Sequence, residues 1–189
     1  MDELPWSVPM SCTQAIVPTC LALHALPMKE IPAVELRLAS EQDRAELLRM
    51  YAEQIRILHS FDASVVPDQV LEDDWWLKPE DLFPFMIYHE GEPVGFYLVF
   101  GSRYAAAVGA GGDHLIWEMF VGEAYRGSGV AERAVREILA IRPGRWFVQA
   151  MPKNGRAHGF WRRITLGPPY NGTEDLNDEG FATFRFVAP

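Results

Sequence analysis

The stretch "VGEAYRGSGVAERAV", residues 121–135, constrains this chain more than any other. It is preceded by "HLIWEMFV" (114–121), an apolar and β-branched series that reads as a strand. It runs into a helical pattern from Gly129 or Val130 to about Ile141. Val130, Ala134, Val135, Ile138 and Leu139 form the apolar face, and Glu132/Arg136 and Arg133/Glu137 are i,i+4 pairs on the other. Pro143-Gly144 stops the helix, and "RWFVQAM" reads as the next strand. Strand, glycine loop, helix and strand make a βαβ unit, with parallel strands and a right-handed crossover. Gly122, Gly127 and Gly129 therefore stand at the carboxyl end of a strand and the amino end of a helix. The first helical turn has N–H groups without partners, and the dipole favours negative charge there. Bare backbone lets a phosphate come close, so residues 126–131 are expected to hold a phosphate or pyrophosphate. A tight strand-to-helix turn that binds nothing is the alternative.

Two common phosphate loops are excluded. A nucleotide-triphosphate loop needs G-x-x-x-x-G-K-[ST], and the lysine is missing. A dinucleotide fingerprint, G-x-G-x-x-G, needs a third glycine where Glu132 stands.

The rest of the chain supplies a sheet for this unit. "VELRLAS" (34–40) alternates as a strand, and Ser40 with Asp43 fits a capping box at a helix start. The helix is expected to reach about His59, with Ala45, Leu48, Tyr51, Ala52, Ile55 and Leu58 on its apolar face. A loop follows, with a short helix after Pro67. "LFPFMIYH" and "PVGFYLVF" flank His89-Glu90-Gly91-Glu92 as a hairpin. "RYAAAVGAGGD" reads as a loop, "GRAHGFWRRI" as a short helix, 167–180 as turns, and "FATFRFV" as a closing strand. The order β α α β β β α β α β predicts an α/β domain with a mixed sheet.

A net charge of −9 argues against a general nucleic-acid binder and is compatible with a cationic small molecule, with solubility alone as the alternative. Cys12 and Cys20 match no metal or redox spacing, so neither a metal site nor a disulfide is expected. "CTQAIVPTCLALHAL" is apolar, but Asp2 and Glu3 stand where a signal peptide carries basic residues. Pro18 interrupts it, and it is too short to span a bilayer. The expectation is a cytoplasmic protein with an extension over 1–33 and one domain over 34–189. Met28 is a candidate alternative start.

The glycine loop resembles the coenzyme A signature of the GNAT N-acetyltransferases, R/Q-x-x-G-x-G/A. Arg126, Gly129 and Ala131 fill it. Asn154, Ala157 and Phe160 match that family's N-x-x-A-x-x-F after the next strand. The longer string E-x-F-V…Y-R-G-x-G…P-G-R-W…N-x-x-A-x-x-F-W resembles a bacterial subgroup of these enzymes. The resemblance runs from Val34 to the C-terminus. It implies a mixed, mostly antiparallel sheet flanked by helices, with one parallel strand pair that splays apart.

The resemblance also implies acetyl-CoA as cosubstrate and a role for each matching residue. Backbone amides of Arg126, Gly127, Ser128, Gly129, Val130 and Ala131 would hold the pyrophosphate. Backbone groups of Phe120 and Val121 would bind the pantetheine arm, Asn154 would hydrogen-bond it, and Phe160 would pack beside it. The family's usual tyrosine acid falls at Trp161, whose indole is a poor proton donor. Trp161 then reads as a wall for coenzyme or substrate, and solvent, Tyr125 or Tyr170 would protonate the leaving thiolate.

An amine must lose a proton to attack a thioester, so a base is needed. Glu118 shares a strand face with Phe120, opposite Met119 and Val121, and faces the cleft if Val121 faces the core. It is the candidate base, with ion pairing to an arginine or substrate orientation as its alternatives. Asp73, Asp74, Trp75 and Trp76 combine acidic and aromatic groups suited to a cation, with packing and a solvated face as the alternative. His114 is a weaker substrate candidate.

The resulting expectation is an acetyl-CoA-dependent N-acetyltransferase acting on a small, cationic primary amine. It needs no metal, nucleic acid or membrane, and a homodimer is left open. The rivals are a catalytically silent acetyl-CoA-binding domain and an acetyltransferase for protein lysines or N-termini.

Overall fold

In a computed structural model, residues 33–65, 82–107 and 111–189 are described. The N-terminal extension, Cys12, Cys20, Met28, the short helix after Pro67 and the acceptor candidates Asp73, Asp74, Trp75 and Trp76 lie outside them.

Seven strands form one sheet: β1 (Glu35–Leu38), β2 (Leu82–His89), β3 (Glu92–Phe100), β4 (His114–Val121), β5 (Gly144–Ala150), β6 (Thr173–Leu176) and β7 (Ala182–Ala188). Their spatial order is β1-β2-β3-β4-β5-β7-β6. Every neighbouring pair is antiparallel except β4 and β5. The hairpin forms as predicted, with Glu90 and Gly91 at φ 52° and 85° in its two-residue turn.

The βαβ unit is also as predicted. Helix α3 (Val130–Ile141) buries all five of the residues expected on its apolar face. Its other face carries the Glu132–Arg136 pair at 2.9 Å and an Arg133–Glu137 contact. The parallel pairing is short: His114, Leu115 and Ile116 match Trp146, Phe147 and Val148, and there it ends. Beyond Ile116 and Val148 the two strands have no ladder between them.

Helices cover both faces of the sheet. Helices α3 and α4 (Gly155–Thr165) pack on one core, which takes Val99, Ile116, Val121 and Trp161. Helix α1 (Arg44–Phe61) packs on the other, which takes Phe96, Leu98, Leu115 and Phe120.

Three expectations need correction. On α1, Tyr51 and Ile55 of the expected face are buried and Leu48 and Leu58 pack beside them, but the centre of the buried stripe includes Leu47 and Met50, which were not expected there. Ala45 is exposed. The Gly/Ala-rich segment begins as a helix, α2 (Ser102–Ala107), because Arg-Tyr-Ala-Ala-Ala is a run of adequate to strong helix formers. The turn-rich stretch contains β6, an acidic edge strand held to its surroundings by Arg162–Glu174 and Arg185–Asp175 ion pairs, both 2.7 Å. The Ser40/Asp43 signal holds: the Ser40 amide donates to Asp43 Oδ2 at 2.8 Å, opening a 3-10 turn that leads into α1.

Candidate active site

The glycine loop sits where β4 has left β5 behind. Gly127 and Gly129 have φ of 76° and 99°, the left-handed region that glycine enters without cost. Side chains at 127 would meet open space, and both glycines are exposed. Gly129 caps α3 from this conformation and no side chain takes the cap position's hydrogen bond. The Ser128 hydroxyl is held by the Tyr125 carbonyl at 2.6 Å and reaches the Val130 amide only at 3.4 Å. The first turn of α3 therefore presents its N–H groups and positive dipole end outward, an anion cradle. Val130 contributes backbone only, since its side chain is fully buried. Ala131 is small and part-buried at the rim.

The Arg126 side chain turns back to β4. Its Nε donates to the Val121 carbonyl at 3.0 Å, and the guanidinium lies 5.8 Å from the centre of the Phe120 ring. Gly122 donates to the Val94 carbonyl at 2.9 Å, and a methyl on Gly95 would overlap the Phe120 carbonyl, so both 120 and 122 address β3. Alternation then turns the backbone groups of Met119 and Val121 towards the gap beside β5. Of the two residues expected to bind an extended arm through their backbone, Val121 faces the gap and Phe120 faces away.

A register shift in β4 sets the catalytic side. Leu98 pairs with Glu118, but Val99 pairs with Ile116, which leaves Trp117 as the extra residue of a bulge. Before the bulge, Leu115 points to the α1 core and Ile116 to the α3 core; after it, Phe120 points to the α1 core and Val121 to the α3 core. Glu118 shares the face of Phe120, as predicted. That face is no open cleft at Phe120, which is 2 % exposed beneath α1. Each face of the strand is a core, and Glu118 is a carboxyl inserted at the margin of one.

There it meets two residues that sequence reasoning did not assign to the site. Gln54 Nε2 on α1 donates to Glu118 Oε2 at 3.2 Å. Burial raises the Glu118 carboxyl to about pH 7, and the Gln54 hydrogen bond offsets this only in part. Tyr51, one turn before Gln54, is pushed up to about 12 by burial and by the Glu118 charge. A glutamine inside the buried stripe, between Tyr51 and Ile55, was the available signal. Among the described residues, the Glu118 carboxyl has the Gln54 hydrogen bond and no arginine ion pair.

The downstream motif caps α4. Asn154 Oδ1 accepts from the Ala157 amide at 3.0 Å, which fixes the side chain at the mouth of the gap. Phe160 is part-buried, and Trp161 lies behind it, 4 % exposed, the rings edge-on at 5.1 Å. Trp161 is a core residue supporting Phe160. Tyr170 packs on Phe186 at the other end of the sheet, lining a cavity of about 270 Å³ with Trp146 and Gly172. It is therefore far from Glu118. His114 stands at that end too, its Nε2 3.3 Å from the Pro143 carbonyl. Tyr125 stays by the glycine loop, its ring 6.0 Å from that of His89. No group of His, Cys, Asp and Glu suited to a metal occurs among the described residues. No helix among them is long and apolar enough to cross a membrane.

The sheet thus has one parallel pair that parts after Ile116 and Val148, a glycine turn opening a helix where the strands have parted, and a part-buried carboxyl on β4. The family model for the GNAT acetyltransferases matches residues 45–165, and the chain belongs to that family. Among solved structures, an acetyltransferase from Thermus thermophilus is similar at a TM-score of 0.60 and 14 % identity, covering 83 % of this chain and 98 % of that one. The PaiA N-acetyltransferase of Thermoplasma acidophilum, solved with coenzyme A, gives 0.58 and 8 %, covering 81 % and 98 %. The diaminobutyrate acetyltransferase EctA of Paenibacillus lautus, solved with coenzyme A and L-2,4-diaminobutyric acid, gives 0.53 and 15 %, covering 83 % and 96 %. Among curated protein sequences, none matches this chain.

Proposed function

We propose that residues 34–189 form a cytoplasmic N-acetyltransferase that moves the acetyl group of acetyl-CoA to the primary amine of a small cationic molecule by direct attack. The observation that carries this reading is a part-buried Glu118, its carboxyl raised to about 7 by burial, two residues past Ile116, the last residue of β4 that pairs with β5. The amides at the start of α3, residues 128–131, bind the pyrophosphate, the Arg126 amide being held by the Glu123 carbonyl at 3.1 Å, and Val121, Asn154 and Phe160 border the arm. Strand rise puts Glu118 about 10 Å along β4 from Val121, the direction in which an extended arm leads. When bound, acetyl-CoA supplies an activated carbonyl carbon for the amine nitrogen. Glu118, ionised as pH rises above about 7, accepts the ammonium proton, directly or through one water, and Gln54 holds its carboxylate. Trp161 offers no acid, so the thiolate takes its proton from solvent or Tyr125.

The test is thermal stability with and without acetyl-CoA, followed by turnover with amines. Coenzyme at a hundred times its dissociation constant stabilises by about 2.7 kcal/mol, a shift that disappears in Gly129→Glu. The absence of any shift at saturation would overturn the reading. Binding without turnover of any amine would leave the silent binding domain.

A further inference from the structure

The bulge in β4 does more than aim Glu118. In a regular strand Trp117 and Glu118 would point to opposite faces. The extra residue places both on the α1 face. Trp117 touches Phe100 and Tyr104 there, and Glu118 meets Gln54 there. Phe100 and Tyr104 are stacked at 3.8 Å and 16°. Trp117 is 5.7 Å from one ring and 5.8 Å from the other, nearly perpendicular to both, so it stands beside the stack rather than on it. Phe100 is buried, whereas Trp117 is 42 % exposed. An aromatic wall, anchored in the core and open at one ring, thus adjoins the candidate base.

We propose that Trp117 and Tyr104 line the acceptor site and that the amine taken there is carried on an aromatic ring by a short alkyl arm. This rests on the acetyl-transfer reading of Glu118. Flat rings stack or meet edge-on with an indole, so the wall favours an aryl body over an aliphatic one. Adjacent Cα atoms are about 3.8 Å apart, so indole and carboxyl are close neighbours. An arm of about two carbons lets the ring rest on Trp117 while the nitrogen reaches Glu118. Neither group asks for a second charge on the acceptor. The cation that the site reads is the attacking amine itself, before it gives up its proton.

The experiment compares 2-phenylethylamine, n-hexylamine and 1,4-diaminobutane as acceptors for the full chain at saturating acetyl-CoA. The expected result is a kcat/KM for 2-phenylethylamine at least tenfold above that of either aliphatic amine. Trp117→Ala should raise KM for 2-phenylethylamine about tenfold, with kcat within threefold, and so remove its advantage over n-hexylamine and 1,4-diaminobutane. Trp117→Phe, which keeps a ring, should stay within threefold of the parent. A preference for an aliphatic amine, or a Trp117→Ala variant with unaltered KM, would overturn the aromatic acceptor and leave acetyl transfer standing. If no amine is turned over although acetyl-CoA binds, the transfer reading falls, and this one with it.

Discussion

The two faces of the sheet meet the reaction in different ways. On the face under α3 and α4, the site is made of backbone: left-handed glycines, an open helix start and the unladdered side of β4. On the face under α1 and α2, it is made of side chains: Glu118, Gln54, Tyr51 and the Trp117 cluster. Backbone amides read phosphate geometry, which every acyl-CoA shares. In the proposed reaction, side chains would read what varies, the amine. A single strand serves both, because its bulge exchanges the two faces between Ile116 and Glu118.

If the division is real, changes on one face should leave the other's property intact. The largest effect belongs to Glu118→Gln. It should lower kcat by about 10²–10⁴-fold while the acetyl-CoA dissociation constant, read by calorimetry, stays within about twofold. A parallel loss of coenzyme binding would break the comparison. In the parent enzyme, log kcat/KM should rise with pH and level off above an apparent pKa of about 7.

The same carboxyl gives a stability signature. Its folded pKa lies above the ordinary value of 4.5, so the folded state holds the proton more tightly than the unfolded chain. Its contribution is complete below pH 4.5 and is lost as pH rises through 7. The loss is roughly 3 kcal/mol, and urea denaturation across that window should show it in the parent and not in Glu118→Gln.

Gly129→Glu should act on the other face. A side chain at φ 99° is strained, and the new carboxylate sits at the anion cradle. Coenzyme affinity should fall by about a hundredfold, and chemical denaturation should show only a modest loss of stability. The smallest effect is expected at Tyr97. Its hydroxyl is buried with no hydrogen-bond partner among the described residues. Tyr97→Phe should therefore stabilise the protein by about 1 kcal/mol, a rise of roughly 2–4 °C in midpoint. A fall would mean that the hydroxyl has a partner.

Legibility in the sequence followed the same division. The α3 stripe stood out because five apolar positions fall on one arc and charges fill the rest. The glycine loop was readable because the demand there is on the backbone, which only certain residues meet. Helix α1 was harder: Leu47, Leu48, Met50, Tyr51, Ile55, Ile57 and Leu58 span more than one face, and packing against the sheet decides which of them are fully buried. Strand β6 carries one apolar residue, Leu176, and that is 62 % exposed, so no periodicity announced it. The bulge at Trp117 left no mark in the local sequence, because it arises from pairing with β3. Asp74, Trp75 and Trp76 keep their standing as sequence-based acceptor candidates outside the described residues.

The one-sided pairing of β4 has a further consequence, in time rather than in space. The Gly122 amide is locked to Val94, and Phe120 addresses the same neighbour. Met119 and Val121, interleaved with them, address the gap. In heavy water such a strand should not exchange its hydrogens as a block. Fast and slow amides should alternate along it, a record written residue by residue of which side has company. A ligand lying in the gap would erase the alternation, and the amides that slow would trace its path.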